Sequence, residues 1–313
     1  MSHINILRSA LTEVQTGINR TKYPDIVFPH FVHINSQGSE LADEILSFSS
    51  DITGDLDSGL ISMNTSVFDQ VGVTFNHKKV PLVTWMKLVE WHEFELKKAA
   101  ALGVQVNTEK LYALNQNAHQ TLQKVAFLGH SRDTRLKGLL NAEGIEVFEP
   151  KVKKAISAMD YAEAVKFFEE IFLRAVEKTH RIAVPNSFAI DSADKAHLAL
   201  LERPNSDKSA LEWLEEKLKG AAGKDIKIEA LPSNFAKLAK ESKTRALIYT
   251  NDKNYVEMNV PKSPTVIGAG KKDLVTYQSG LTMVFGGVNF KEPQAALSNR
   301  AVKPRPLGRG YKV

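Results

Sequence analysis

Between Lys22 and Lys78 the chain carries no Lys or Arg, yet it holds Asp25, Glu40, Asp43, Glu44, Asp51, Asp55, Asp57 and Asp69. Most of that interval, residues 39–79, reads as a long hairpin-like excursion. Its short β-prone pieces at Ile45–Phe48, Ser66–Phe68 and Val71–Phe75 are broken by Gly54, Asp55 and Gly59. Such a stretch is too polar to close a core of its own, so it must lie against something else. Residues 1–38 pose the same problem. Pro24, Pro29, His30 and His33 lead to a polar Asn35-Ser36-Gln37-Gly38 exit without a sustained period, the pattern of an arm. Ordering an arm and an excursion costs entropy that internal packing does not offset. Neighbouring subunits ordinarily supply the missing contacts. The physical reading is an obligate assembly subunit.

The opposite pole of charge lies at the other end. Residues 299–313 carry Arg300, Lys303, Arg305, Arg309 and Lys312 and no acid. These five charges equal the whole net charge of +5, 41 basic less 36 acidic residues, so residues 1–298 sum to zero. Segregation of this kind suggests a basic partner for one part and an acidic partner for another, and that partner can be a second copy of the chain. A solvated acidic loop and a solubilising tail are the plain alternative. The 313 residues suffice for two domains or one large elaborated one. The absence of Cys removes disulfides, thiolate nucleophiles, Fe–S clusters and Cys-type zinc sites together. No apolar run reaches the roughly 18 residues of a membrane span, and the N-terminus lacks a signal-peptide core. A soluble protein made inside the cell, with no membrane partner, is expected.

Along the chain, Val80–Met86 reads as extended and runs into a helix from about Val89 to Leu102, stopped by Gly103. Asn107 caps a strong helix with Leu111, Leu114, Ala118, Leu122 and Val125 on one stripe and Gly129 as its stop. Ser157 to Asp160 suggests a capping box ahead of a helix to about Lys178. Arg181–Val184 reads as a buried strand. Helices are expected near 191–202 and at 208–219, the latter closed by Gly220, with a strand at Ile226–Ile228. Ala246–Tyr249 and Tyr255–Val260 are expected to pair through the turn Asn251–Asn254. Leu274–Tyr277 and Leu281–Phe285 close the folded part, and the chain beyond Phe290 is basic and Pro-containing. The class is α+β, with two mixed lobes.

No constellation for chemistry emerges. His92-Glu93 lacks the second His of a zinc-protease helix, because that position is Leu96. Gly268-Ala-Gly270-Lys271-Lys272 lacks the spacer and hydroxyl of a phosphate loop and reads as a surface turn. His130, Ser131 and Asp133 are too close in sequence for a triad, and Glu169-Glu170 reads as a solvated helix face. No catalytic residue, cofactor or metal ligand is expected. A site assembled only in space would escape such a reading, so a cytosolic enzyme acting on an acidic substrate stays as an alternative of another class. A DNA-binding regulator is disfavoured, since no recognition helix carries the basic residues.

Residues 80–290 resemble the major capsid proteins of tailed phages, the encapsulin-like family. Five blocks carry the resemblance, in order. They are Val80-Pro81-Leu82 through Glu90, Glu93, Leu96 and Ala99; Phe127-Leu128-Gly129 through Lys137-Gly138-Leu139-Leu140-Asn141; Arg181 through Pro185 to Phe188; Ser206 to Leu214; and Arg245 to Pro261. The resemblance implies a Hong Kong 97-like fold. It places an N-terminal arm at 1–38, an extended loop at 39–79, and a peripheral domain at 80–180 with a spine helix at about 107–128. An axial domain at 181–260, return strands at 261–290 and a basic tail at 291–313 complete the division. It also implies pentamers and hexamers closing into an icosahedral shell around packaged double-stranded DNA, within a virion whose subunits are made in the host bacterial cytoplasm. Scaffolding, portal and decoration proteins would be separate partners, the N-terminal region being too short for a built-in scaffold. An encapsulin holding protein cargo shares the fold and is the near alternative.

Under this reading the inter-subunit contacts fall to Asp51, Asp55 and Asp57 on the excursion, Lys78 and Lys79 at its end, and Arg132 and Arg135 in the loop at 129–141. Arg300, Lys303, Arg305, Arg309 and Lys312 would meet DNA or a neighbouring acidic loop. The family's covalent cross-linking needs Lys and Asn partners across subunits, and none is expected here.

Overall fold

The structure, a computed structural model, describes residues 25–55, 57, 70–101, 106–232, 235 and 244–301. Helix α1 spans Phe28–Phe31, followed by strands β1 (His33–Asn35), β2 (Glu44–Thr53) and β3 (Gly72–His92). Helices α2 (Glu93–Ala101) and α3 (Val106–Leu128) lead to β4 (Glu146–Phe148), α4 (Tyr161–Lys178), β5 (Ser187–Asp191), α5 (Ser192–Leu200) and α6 (Ala210–Ala222). Strands β6 (Lys227–Leu231), β7 (Thr244–Tyr249), β8 (Val256–Asn259), β9 (Lys262–Lys271), β10 (Thr276–Gly286), β11 (Val288–Phe290) and β12 (Ala296–Ala301) complete the order.

The strands form three sheets, with orders β1-β8-β11, β2-β3-β10-β9 and β4-β12-β7-β5-β6. The third sheet divides the interior in two, because side chains alternate across a strand. Phe188, Ile190 and Ile248 point into a core with α4, α5 and α6, where Phe168, Ile171, Leu198 and Leu214 meet them. Ala189, Leu247 and Tyr249 point the other way, into a core with α3 and the first two sheets. There the helix stripe of Leu114, Ala118, Leu122 and Val125 packs with Met258, Leu281, Met283 and Phe285. Tyr249 ties the N-terminal segment to this core, its buried hydroxyl donating to the Phe31 carbonyl at 2.8 Å. Burial raises the Tyr249 pKa well above its ordinary value, so it stays a neutral donor.

Helix α4 and β5, on either side of residue 180, share one core. Several expectations need correction. The stretch from Val89 to His92 continues β3, paired with β10 through Thr276↔His92, and helix α2 starts only at Glu93. The capping box ahead of α4 is Asp160 with Glu163: the Glu163 amide donates to Asp160 at 2.8 Å and the Asp160 amide to Glu163 at 3.2 Å. Arg181–Val184 is a turn, not a strand, since His180 and Arg181 take positive φ of 48° and 65° to unwind the helix end. Gly223, at φ 70°, caps α6 in place of Gly220.

Strands β7 and β8 do not pair with each other. Strand β7 lies between β12 and β5, whereas β8 lies between β1 and β11. Strands at 274–277 and 281–285 merge into β10, and Gly268-Ala-Gly270 lies within β9. The chain also folds beyond Phe290, for β12 is flanked by β4 and β7 and buries Ala296 and Leu297.

Candidate assembly surface

Strands β2 and β3 pair antiparallel from Glu44↔Pro81 to Thr53↔Gly72. Directly opposed residues share a face. Leu46, Phe48 and Ile52 therefore lie on one side with Val73 and Phe75, while Ser49, Asp51, Thr74 and Asn76 take the other. Among the described residues nothing covers the apolar side: Phe48, Ile52 and Phe75 are 68, 80 and 72% exposed. A contiguous apolar face of this kind marks an interaction surface. Burying five such side chains on a neighbour is worth roughly 8–15 kcal/mol before the costs of association. On the polar side Asn76 Nδ2 donates to Asp51 at 3.2 Å. Where the hairpin leaves β2, the Asp57 amide donates to the Asp55 carboxylate at 3.1 Å, and both residues are exposed. The piece at Ser66–Phe68 lies outside the described residues.

The basic positions separate into two places. Lys78, Lys79 and Arg135 come together with Lys137, Glu143 and Asn289 in a cleft at the root of the hairpin. There Lys79 pairs with Glu44 at 2.7 Å. Arg135 holds Asp133 through Nε at 3.0 Å and Nη2 at 2.8 Å. That guanidinium holds the Asp133 carboxyl below its usual pKa. Lys78 donates to the Phe290 carbonyl at 3.3 Å, and desolvation lowers its pKa.

Arg132 lies elsewhere, in a groove of about 440 Å³ between β3 and the C-terminal half of α3. Lys87, Lys124 and His130 share its walls, Trp85 and Met86 give it an apolar floor, and among the described residues no carboxylate lines it. Lys87 Nζ donates to Asn117 at 2.6 Å and lies 5.4 Å from the centre of the Trp85 ring. None of Asp51, Asp55 and Asp57 lines either basic place. Sequence reasoning missed Lys87, Lys124, Lys137 and Asn289, because only the fold brings them into these two places. Arg300 lies on β12 opposite Arg245, inside a sheet and not on a free tail. Lys303, Arg305, Arg309 and Lys312 lie outside the described residues.

The loop bearing Arg132 and Arg135 is held by the end of α3. Gly129 turns the chain at φ +74°, and Leu139 and Leu140 donate their amides to the Ala126 and Phe127 carbonyls at 2.7 and 3.0 Å. Asn141 Nδ2 takes the Leu128 carbonyl at 2.7 Å. Three carbonyls that a helix end leaves free are thus satisfied by one loop.

A family model for major capsid proteins matches residues 57–298. The chain belongs to the major capsid protein family. It is a structural protein of a capsid shell, and its place is the virion capsid. Solved structures agree on the Hong Kong 97-like fold. The capsid of Myoviridae phage XM1 superposes with a TM-score of 0.78 at 14% identity, over 94% of this chain and 98% of that one. A chain from Mycobacterium phage Adephagia gives 0.59 at 13% identity, covering 97% and 99%. The capsid of a native GTA particle gives 0.61 at 12% identity, also covering 97% and 99%. No curated protein shows detectable sequence similarity to this capsid protein. Among its described residues no helix is long and apolar enough to cross a membrane, and no three His, Asp or Glu side chains are grouped to hold a metal.

Proposed function

We propose that this capsid protein assembles as pentamers and hexamers into an icosahedral shell around double-stranded DNA. In this reading β2–β3 is an extended loop lying on a neighbouring subunit. The observation that carries it is the hairpin's exposed apolar face, backed by a polar face that carries Asp51. The groove of Trp85, Met86, Lys87, Lys124 and Arg132 supports it, offering an apolar floor and uncompensated cations on the same molecule. Apolar burial supplies the affinity, and charge complementarity sets which surfaces meet. The regions around α3 and around the α4–α6 core act as the peripheral and axial domains, with residues 25–38 as part of the arm. The basic residues after Ala301 face DNA or an acidic neighbour, and subunits made in the host cytoplasm meet separate scaffolding, portal and decoration proteins.

Amide hydrogen exchange tests the hairpin's role. Solvent-exposed ladder bonds in a two-stranded ribbon open easily, so β2 and the first half of β3 should exchange quickly in the unassembled chain. Assembly should slow them at least about tenfold, which corresponds to roughly 1.4 kcal/mol of added protection. Equal exchange before and after assembly would remove the hairpin from the contact.

A further inference from the structure

The cleft at the root of the hairpin holds about 110 Å³, room for several waters or a carboxymethyl group. Two of its groups are unspent. The Asn289 side chain is 3% exposed, and among the described residues neither its Oδ1 nor its Nδ2 has a hydrogen-bond partner. Among the described residues Lys78 Nζ has one acceptor, the Phe290 carbonyl, and no ion pair. At the mouth, Lys79, Arg135 and Lys137 each pair with one carboxylate, from Glu44, Asp133 and Glu143. Among the described residues Lys78 is left over once these three pairs are made, so the cleft keeps one positive charge.

A buried amide without partners costs about 1–3 kcal/mol, and an apolar group of the same shape would remove that cost. The fold thus keeps, beside a partly desolvated ammonium, a polar group that weakens the isolated subunit. Both have donors to spare, and the missing element is an anionic acceptor.

We infer that this cleft takes an Asp or Glu carboxylate from a second copy of the chain, with Lys78 Nζ and Asn289 Nδ2 donating to its oxygens. The inference rests on the shell reading, which makes every contact surface meet copies of itself. A carboxylate suits the small volume, and its lone pairs accept from both donors at once. The chain presents such groups in quantity, above all in the cation-free stretch ahead of Lys78. The contact is independent of the hairpin's apolar face, since it lies at the hairpin's root against β11.

The test uses full-length chains carrying Asn289→Leu, Asn289→Asp or Lys78→Met. Asn289→Leu should melt at or above the wild-type temperature before assembly, because it removes an orphaned amide, yet its yield of assembled particles should fall at least about tenfold. Asn289→Asp puts a resident carboxylate beside Lys78 and should block assembly equally while leaving the subunit folded. Lys78→Met should lose assembly as well. Acetate, compared with chloride at equal ionic strength, should raise the melting temperature of the unassembled wild type and leave Asn289→Leu unchanged.

Folded Asn289 variants that assemble at the wild-type yield would overturn the inference while leaving the shell reading intact. Acetate stabilisation together with normal assembly of the variants would make the cleft a site for free anions and also overturn it. A wild type that never assembles would instead defeat the shell reading. The acetate comparison still reads the cleft in that case, and no difference between acetate and chloride would overturn its anion chemistry.

Discussion

Alanine at Gly138 is expected to cost about 3 kcal/mol or more, a large share of the 5–15 kcal/mol that holds a typical domain together. A Cβ there would sit 2.5 Å from the Gly129 nitrogen, the Leu128 nitrogen and the Phe127 carbonyl carbon. All three are backbone atoms, so no side chain can swing aside to make room. Relief requires the loop to lift from the end of α3. That would break the amide bonds of Leu139 and Leu140 and the Asn141 cap, leaving buried helix carbonyls unpaired. The loop also carries Arg132 and Arg135 and supports β11 through the Val288 amide on the Lys137 carbonyl at 2.7 Å, so both basic places would lose their walls. Gly220→Ala is the matched control. It lies within α6 with nothing within 4 Å of its new Cβ, and it should stabilise the chain by about 0.5–1 kcal/mol. Urea midpoints of the two variants, moving in opposite directions from wild type, check the pair. A Gly138→Ala chain as stable as wild type would mean that the loop does not pack on α3 as described.

Reversing Asp51, Asp55 and Asp57 to Lys is expected to abolish assembly while leaving the subunit folded. All three are exposed on the single chain, and none contributes a side chain to either core. The reversal removes the Asn76–Asp51 hydrogen bond and the turn that Asp55 forms with the Asp57 amide. Surface changes of that kind ordinarily stay within about 0.5 kcal/mol each. At the proposed interface the change is larger in kind, because six units of charge are added to a hairpin that this reading places against Lys- and Arg-lined surfaces. Like-charge juxtaposition costs several kcal/mol in a contact, and every subunit repeats it. Thermal melting of the triple variant should match wild type within a few degrees while sedimentation shows no particles. Normal particles would show that the acidic face is merely solvated.

Much of this architecture is legible in residue order. The apolar stripe of α3 and the Gly129 stop follow from helical period and from the freedom of glycine at positive φ. The hairpin is foreshadowed in residues 39–79, whose β-prone pieces at Ile45–Phe48 and Val71–Phe75 lie largely in β2 and β3, whereas the apolar face emerges only from the pairing register. Errors arise where distant segments decide. Asn251–Asp252 does form a turn, with the Asn254 amide donating to Asp252 at 2.8 Å, but β12 and β5 claim one flanking strand while β1 and β11 claim the other. Pro293 and Arg300 make residues 291–301 look like tail, whereas β4 and β7 supply the partners that turn Ala296–Ala301 into an interior strand. The cleft was half visible. Lys78 stands out as the first cation after a long acidic interval, but Asn289 lies far along the chain and only the fold shows that its amide is buried without a partner.

Electron microscopy of the chain expressed alone and then with candidate scaffolding and portal proteins, with light scattering on the same samples, tests the central claim most directly. Capsomer-sized rings or closed polyhedra are expected, since a subunit with an uncovered apolar hairpin gains from every neighbour it meets. A monodisperse monomer at high concentration, unchanged by scaffold and portal, would contradict assembly through these surfaces.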